Sequence, residues 1–166
     1  VTWKSNTELT CSVNLGGKEA GDYTVTVTNS DGLSSAPFSQ FTIINPAPVI
    51  YSITPSTGEN TGTIDILSLK GDNFLDEPVV NLTKVGETPI PGTNVAWVNS
   101  ATLTCTFDLN GKAAGVWDVE VLNPDGRSDT YPGLFTITNP PPSPQGIIPS
   151  VGDKGGWSEV NSLTGT

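Results

Sequence analysis

The chain contains no histidine and no methionine, only two cysteines, and only seven lysines and arginines among 166 residues. Without histidine there is no His-based catalytic triad, no His metal ligand and no imidazole switch near neutral pH. Seven scattered bases against 17 acids give a formal net charge of −10 and a pI near 4.1. That balance excludes a phosphate backbone as partner, because nucleic acid requires clustered Lys and Arg. No apolar run approaches the roughly 18–20 residues needed to cross a bilayer, so no membrane insertion is expected in this segment. Hydrophobic content is low, at 35%, but the apolar residues recur at regular intervals, which argues for a folded chain.

What is abundant points to an all-β protein. Fourteen Pro, 18 Gly and 22 Thr combine turn-formers with a residue suited to a pleated, half-solvated surface.

The sequence also repeats. Aligned without gaps at an offset of 94, residues 1–48 and 95–142 are identical at 22 of 48 positions. Trp3 meets Trp97, Leu9-Thr10-Cys11 meets Leu103-Thr104-Cys105, Asn29-x-Asp31-Gly32 meets Asn123-x-Asp125-Gly126, and Phe41-Thr42-Ile43 meets Phe135-Thr136-Ile137. The same offset carries 49–72 onto 143–166 with 8 identities in 24, among them Pro55-Ser56, Ser68-Leu69 and Gly71. The expected organisation is therefore the C-terminal half of one repeat (1–48), a complete repeat (49–142) and the N-terminal strands of a third (143–166). The joints, Asn45-Pro46-Ala47-Pro48 and Asn139-Pro140-Pro141-Pro142-Ser143-Pro144, favour extended polyproline geometry and act as semi-rigid spacers.

Within 49–142 the pattern is period two. Leu103, Cys105, Phe107 and Leu109 fall on one face and Thr102, Thr104, Thr106 and Asp108 on the other. Trp117, Val119 and Val121 alternate with Asp118 and Glu120. Val49–Ile53 reads as an edge strand, Ile64–Leu69 and Val79–Thr83 as strands, Asn94–Val98 as a short one, and Leu134–Ile137 as the last. Gly71-Asp72-Asn73-Phe74 reads as a corner, and Asn123-Pro124-Asp125-Gly126 as a β-turn with Pro second and Gly fourth. About seven strands in some 90 residues with no helical periodicity predict an immunoglobulin-like sandwich lacking the Cys…Trp…Cys disulfide pattern.

At these residues the repeat resembles the IPT/TIG domain. The resemblance runs through Ile53-x-Pro55, Gly58, Gly62, Leu69-x-Gly71-x-Asn73-Phe74, Leu103-x-Cys105, Gly115, Val119-x-Val121, Asn123-x-Asp125-Gly126 and Phe135-x-Ile137. It implies an early-set immunoglobulin-like β-sandwich. It leaves function open, since such domains occur in transcription factors, receptor ectodomains, glycan-active enzymes and tandem arrays on microbial surfaces. The transcription-factor branch is set aside on charge.

The candidate sites are few. Cys11 and Cys105 are one repeat position seen twice, expected as small buried hydrophobes too far apart for the roughly 4.4–6.8 Å Cα separation of a disulfide. Asp72, Asp76 and Glu77 cluster in one loop. They read as solvated turn chemistry, with a weak Ca²⁺ site as the alternative, and no spacing resembles an EF-hand. Trp3, Trp97 and Trp117 recur at positions expected in the core. Asn81-Leu82-Thr83 is a sequon whose Asn81 is expected to face outward, where a glycan is sterically allowed, although so short a triplet often occurs by chance. Trp157 stands where the complete repeat has Thr63, and it is a candidate contact to a neighbouring bead or to further strands. No catalytic residue and no cofactor is expected.

Residues 1–48 carry the last strands of a sandwich only. Leu9, Val13, Leu15, Tyr23, Val25, Val27, Phe41 and Ile43 all face inward there. Leaving them uncovered forgoes about 1.5–3 kcal/mol each, on the order of 15 kcal/mol in all, which rivals a domain's net stability of about 5–15 kcal/mol. The expectation is a window on a head-to-tail array, either one polypeptide or copies joined by strand complementation. The implied function is a structural module of an extracellular or cell-surface filament or stalk whose partners are copies of itself. The alternatives are an adhesin module that binds a surface glycan or protein, and an accessory domain of a secreted enzyme.

Overall fold

The computed structural model describes residues 1–152 and 154–165. Asp153 and Thr166, both within the expected 143–166 segment, lie outside the described residues. Among the described residues every regular element is a β-strand. The chain divides into two units, Val1–Pro46 and Ala47–Thr166, so the division falls inside the first Pro-rich joint and residues 143–165 do not separate as a third unit.

The first unit has four strands, β1 (Thr2–Ser5), β2 (Glu8–Thr10), β3 (Gly21–Val25) and β4 (Phe38–Ile43). They form two separate antiparallel pairs, β1 with β2 and β3 with β4.

The second unit contains β5 (Val49–Thr54), β6 (Thr57–Glu59), β7 (Thr63–Asp72), β8 (Val79–Thr83), β9 (Ile90–Asn99), β10 (Thr102–Asp108), β11 (Gly115–Leu122) and β12 (Ser128–Thr138). After the second joint come β13 (Pro144–Ile148) and β14 (Ser162–Gly165), which pair only with each other. The first eight form one ladder in the order β5-β7-β10-β9-β8-β11-β12-β6. Its two halves pack as layers, and β9 connects them. Ile90 and Pro91 pair with β8, whereas Gly92 to Asn99 pair with β10. At the crossing Gly92 lets the backbone close on the opposite layer, since a Cβ there would come within 3.0 Å of the Val80 carbonyl, tighter than packed side chains tolerate.

Two expectations change. The strand expected over 94–98 is ten residues long, because it serves both layers. β6 was not foreseen. Thr-Gly-Glu carries no apolar alternation, and it is a strand because it pairs in parallel with Thr136–Thr138.

Alternation fills the space between the layers. Ile50, Ile53, Ile66, Leu69, Phe74, Val80, Leu82, Ile90, Leu103, Phe107, Trp117, Val119, Val121, Phe135 and Ile137 are all buried. Phe107 of one layer meets Phe135 of the other with ring centroids 6.3 Å apart, in the tilted range aromatic pairs favour. The Gly71 corner is steric. A Cβ at Gly71 would run into the Val49 carbonyl and the Phe74 ring, and Asn73 turns the chain at φ 60° so that Phe74 re-enters the core.

Candidate functional site: an open sandwich face

The two units place equivalent side chains in opposite environments. In the second unit the inward faces of β10, β11 and β12 are buried. In the first unit the corresponding residues line an open groove of about 770 Å³, walled by Cys11, Val13, Leu15, Tyr23, Val25, Phe41 and Ile43 with Lys18 at its margin. Tyr23 is 36% exposed where Trp117 is 1%, and Phe41 is 39% exposed where Phe135 is 0%. Leu9, Val13, Val25 and Val27 are likewise exposed. The face is not sealed by the unit's own residues.

Much of the local geometry of the two units nevertheless coincides at an offset of 94, up to the bulges beyond which Val25 pairs with Phe38 but Val119 with Tyr131. The pairs Trp3–Leu9, Gly21–Ile43 and Tyr23–Phe41 correspond to Trp97–Leu103, Gly115–Ile137 and Trp117–Phe135. Tyr23 Oη donates to the Glu19 carbonyl at 3.0 Å, and Trp117 Nε1 donates to the Ala113 carbonyl at the same distance. The Leu33 and Arg127 amides donate to Asp31 and Asp125 at 3.0 and 3.1 Å. The hairpin β13–β14 follows the same rule. Gly146–Thr164, Ile147–Leu163 and Ile148–Ser162 correspond to Ser52–Lys70, Ile53–Leu69 and Thr54–Ser68. The hairpin's Ile147, Ile148 and Leu163 are exposed, and so is Trp157.

Asp72 ends β7 and accepts the Tyr51 hydroxyl at 2.5 Å, while Asp76 Oδ1 accepts the Glu77 amide at 3.0 Å. Among the described residues no group of three or more Cys, Asp or Glu side chains gathers where a metal could sit. Asn81 is not free on the outer face. It is half-buried in β8, and its Nδ2 donates to Glu120 at 3.0 Å, because β11 lies alongside. Cys105 is buried as expected, and desolvation pushes its thiol up to about 12. Cys11 is exposed, contrary to expectation, because nothing covers its face. Of the three tryptophans expected in the core only Trp117 is there. Trp97 is 41% exposed and donates to the Phe74 carbonyl at 2.9 Å, and Trp3 is exposed.

One structural residue escaped the sequence reading. Asn123 was read only as the first position of a turn, yet its buried side chain clamps the Gly71–Phe74 corner. Nδ2 donates to the Asn73 carbonyl at 2.8 Å, and Oδ1 accepts the Leu75 amide at 3.1 Å. The recurrence of Asn at 29 and 123 was the available signal.

The eight-stranded double layer with a buried β10–β11–β12 face defines an immunoglobulin-like all-β module. The family model for the IPT/TIG domain matches residues 48–137, more than half of the chain, and the protein belongs to that family. Comparison with curated proteins finds no match. Domains of this family are non-catalytic immunoglobulin-like modules.

Proposed function

We propose that this protein is a structural module of an extracellular or cell-surface tandem-repeat protein, in which immunoglobulin-like beads stack head to tail through Pro-rich joints. Residues 49–142 are one complete bead, and the flanking segments are parts of its neighbours. The single observation that carries this reading is the first unit. It reproduces two strand pairings of the complete sandwich, β9 with β10 and β11 with β12, in the same register up to the bulge after Tyr23, while leaving the matching apolar face open. The role is mechanical. Stiff beads set reach, and an acidic, Thr-rich exterior stays hydrated and resists non-specific sticking. Strongly acidic character and the absence of clustered bases support placement outside the cell and away from nucleic acid.

The test supplies what the first unit lacks. A copy of residues 49–94 placed ahead of Val1 restores the segment that covers the equivalent face in the complete bead. The expected result is slowed amide exchange across residues 21–43 and loss of binding by a dye that reports exposed apolar surface. Unchanged exchange and dye binding would refute the repeat-module reading.

A further inference from the structure

In the first unit and in the hairpin β13–β14, strands whose counterparts are interior in the complete sandwich have an unpaired edge. In the complete sandwich β10 lies between β7 and β9, and β7 lies between β5 and β10. In the first unit β2 has only β1 beside it, and in the hairpin β14 has only β13. Setting β14 against β2 gives the order β13-β14-β2-β1, which reproduces β5-β7-β10-β9. We infer that the open face binds a second copy of this chain, whose β14 adds to the free edge of β2 with Leu163 opposite Leu9 and Val160 opposite Cys11. This deepens the repeat-module reading and rests on it.

The register follows from pairs seen in the sandwich. Leu103 faces Leu69, and Cys105 faces Ile66. The polar pairs agree as well. Thr106 Oγ1 donates to Asp65 Oδ1 at 2.7 Å, and the corresponding residues are Ser12 and Glu159, again a hydroxyl and a carboxylate. Lys70 Nζ donates to Thr102 Oγ1 at 2.8 Å, and the corresponding Thr164 and Glu8 again offer a donor and an acceptor. The Ile50 amide donates to Asp129 Oδ2 at 2.8 Å. At the corresponding positions Pro144 has no amide hydrogen, and the Ser35 hydroxyl already accepts the Val27 amide at 3.1 Å, so this one bond has no counterpart. Exposed Val160 and Leu163 then gain apolar cover on the groove, and strand addition supplies main-chain hydrogen bonds with side-chain pockets for specificity. The cover is partial, because nothing in the hairpin corresponds to β8. The association is therefore weak and self-propagating, since each copy offers one open face and one hairpin. Copies of charge −10 repel, so added salt strengthens it.

The test uses the native Cys11 thiol as reporter, because buried Cys105 does not compete for labelling. In the unaltered chain, at 0.15 M salt or more (about physiological,), the rate of Cys11 alkylation falls as protein concentration rises from ~10 µM to ~1 mM. A dissociation constant near ~100 µM leaves about a quarter of the faces free at the upper end, roughly a three- to fourfold slowing, because free hairpins are depleted along with free faces. In Val160→Cys, a surface change that leaves the sandwich intact, mild oxidation yields a ladder of linked chains. Peptide mapping then joins the Cys11 peptide of one chain to the substituted peptide of another. A concentration-independent alkylation rate without that mixed link overturns the inference, as does a link confined within one chain. If alkylation is concentration-independent but the chain with 49–94 ahead of Val1 protects Cys11, the copy-to-copy contact fails while the repeat-module reading stands. If neither protects Cys11, both fail.

Discussion

The unit before Pro46 and the sandwich after it share sequence, turns and pairing, yet only one of them has a core. The difference is traceable to missing neighbours. β10 has seven residues with β7 and β9 on either side, whereas the corresponding β2 has three and a single partner. β11 lies between β8 and β12 and runs for eight residues, whereas β3 has only β4 and runs for five. Missing, too, is the segment that brings Lys84, whose Nζ binds the Ala114 carbonyl at 2.9 Å and lies 5.6 Å over the Trp117 ring. Period-two alternation therefore sets the direction of side chains but not their burial. Burial needs the opposing layer, and a strand without a second neighbour keeps a row of unpaired main-chain groups.

The sharpest way to break this comparison is to truncate the same position in both units. Trp117→Ala should destabilise the sandwich by about 3–5 kcal/mol, the usual consequence of emptying a buried aromatic site. Tyr23→Ala should change stability by less than ~1 kcal/mol, because its side chain is already partly in water. Urea unfolding with tryptophan and tyrosine fluorescence reads both. A large effect at Tyr23 in dilute solution would mean that the face is covered after all. With residues 49–94 placed ahead of Val1, the Tyr23→Ala effect should climb toward that of Trp117→Ala.

A smaller contrast concerns the two Asx-type turns. Asn123→Ala strands the Asn73 carbonyl and the Leu75 amide inside the corner, and should cost about 1–3 kcal/mol. Asn29 shapes the same local turn, with its amide bonded to the Leu33 carbonyl at 2.9 Å, but it has no such corner to hold. Asn29→Ala should stay within about 0.5 kcal/mol of the parent. Equal losses at the two positions, measured by thermal unfolding, would show that the turn rather than the clamp carries the energy.

Much of this was legible in the sequence because it is local. Alternation at Leu103–Leu109 and Trp117–Val121 located the core strands, and the Gly71 and Asp125-Gly126 signals located corners that backbone sterics enforce. What was not legible depends on partners distant in the chain. β6 exists only through Thr136–Thr138, and β9 is long because it serves two layers. Asn81 is engaged because Glu120 lies across the ladder. Cys11 reads as core because its counterpart Cys105 is core, and it is exposed because the covering strands are not beside it, whereas Trp97 is exposed even in the complete sandwich, so the exposure of Trp3 reflects the outer side of its strand. The open face itself was readable, since an inventory of inward residues without an opposing layer requires no coordinates.

The smallest effect sharpens a third contrast, between β5 and its counterpart β13. Tyr51 of β5 donates to Asp72 Oδ2 at 2.5 Å, whereas β13 has Gln145 at that position and nothing to titrate. The Tyr51 hydroxyl is held above its ordinary value of 10.0, first by the hydrogen bond to Asp72, then by loss of solvent, then by the carboxylate's charge. A raised pKa in the folded state means that the proton is bound more tightly there than in the unfolded chain. The stability from this pair is therefore fully present below about pH 10 and is lost as pH rises through the folded-state value. The phenolate absorbance of the parent minus that of Tyr51→Phe should show a transition above the normal tyrosine range, and Asp72→Ala should bring that transition down toward 10.0. A difference titration unaltered by Asp72→Ala would show that the bond does not hold β5 to the end of β7 in solution, and that its loss in β13–β14 is of no consequence.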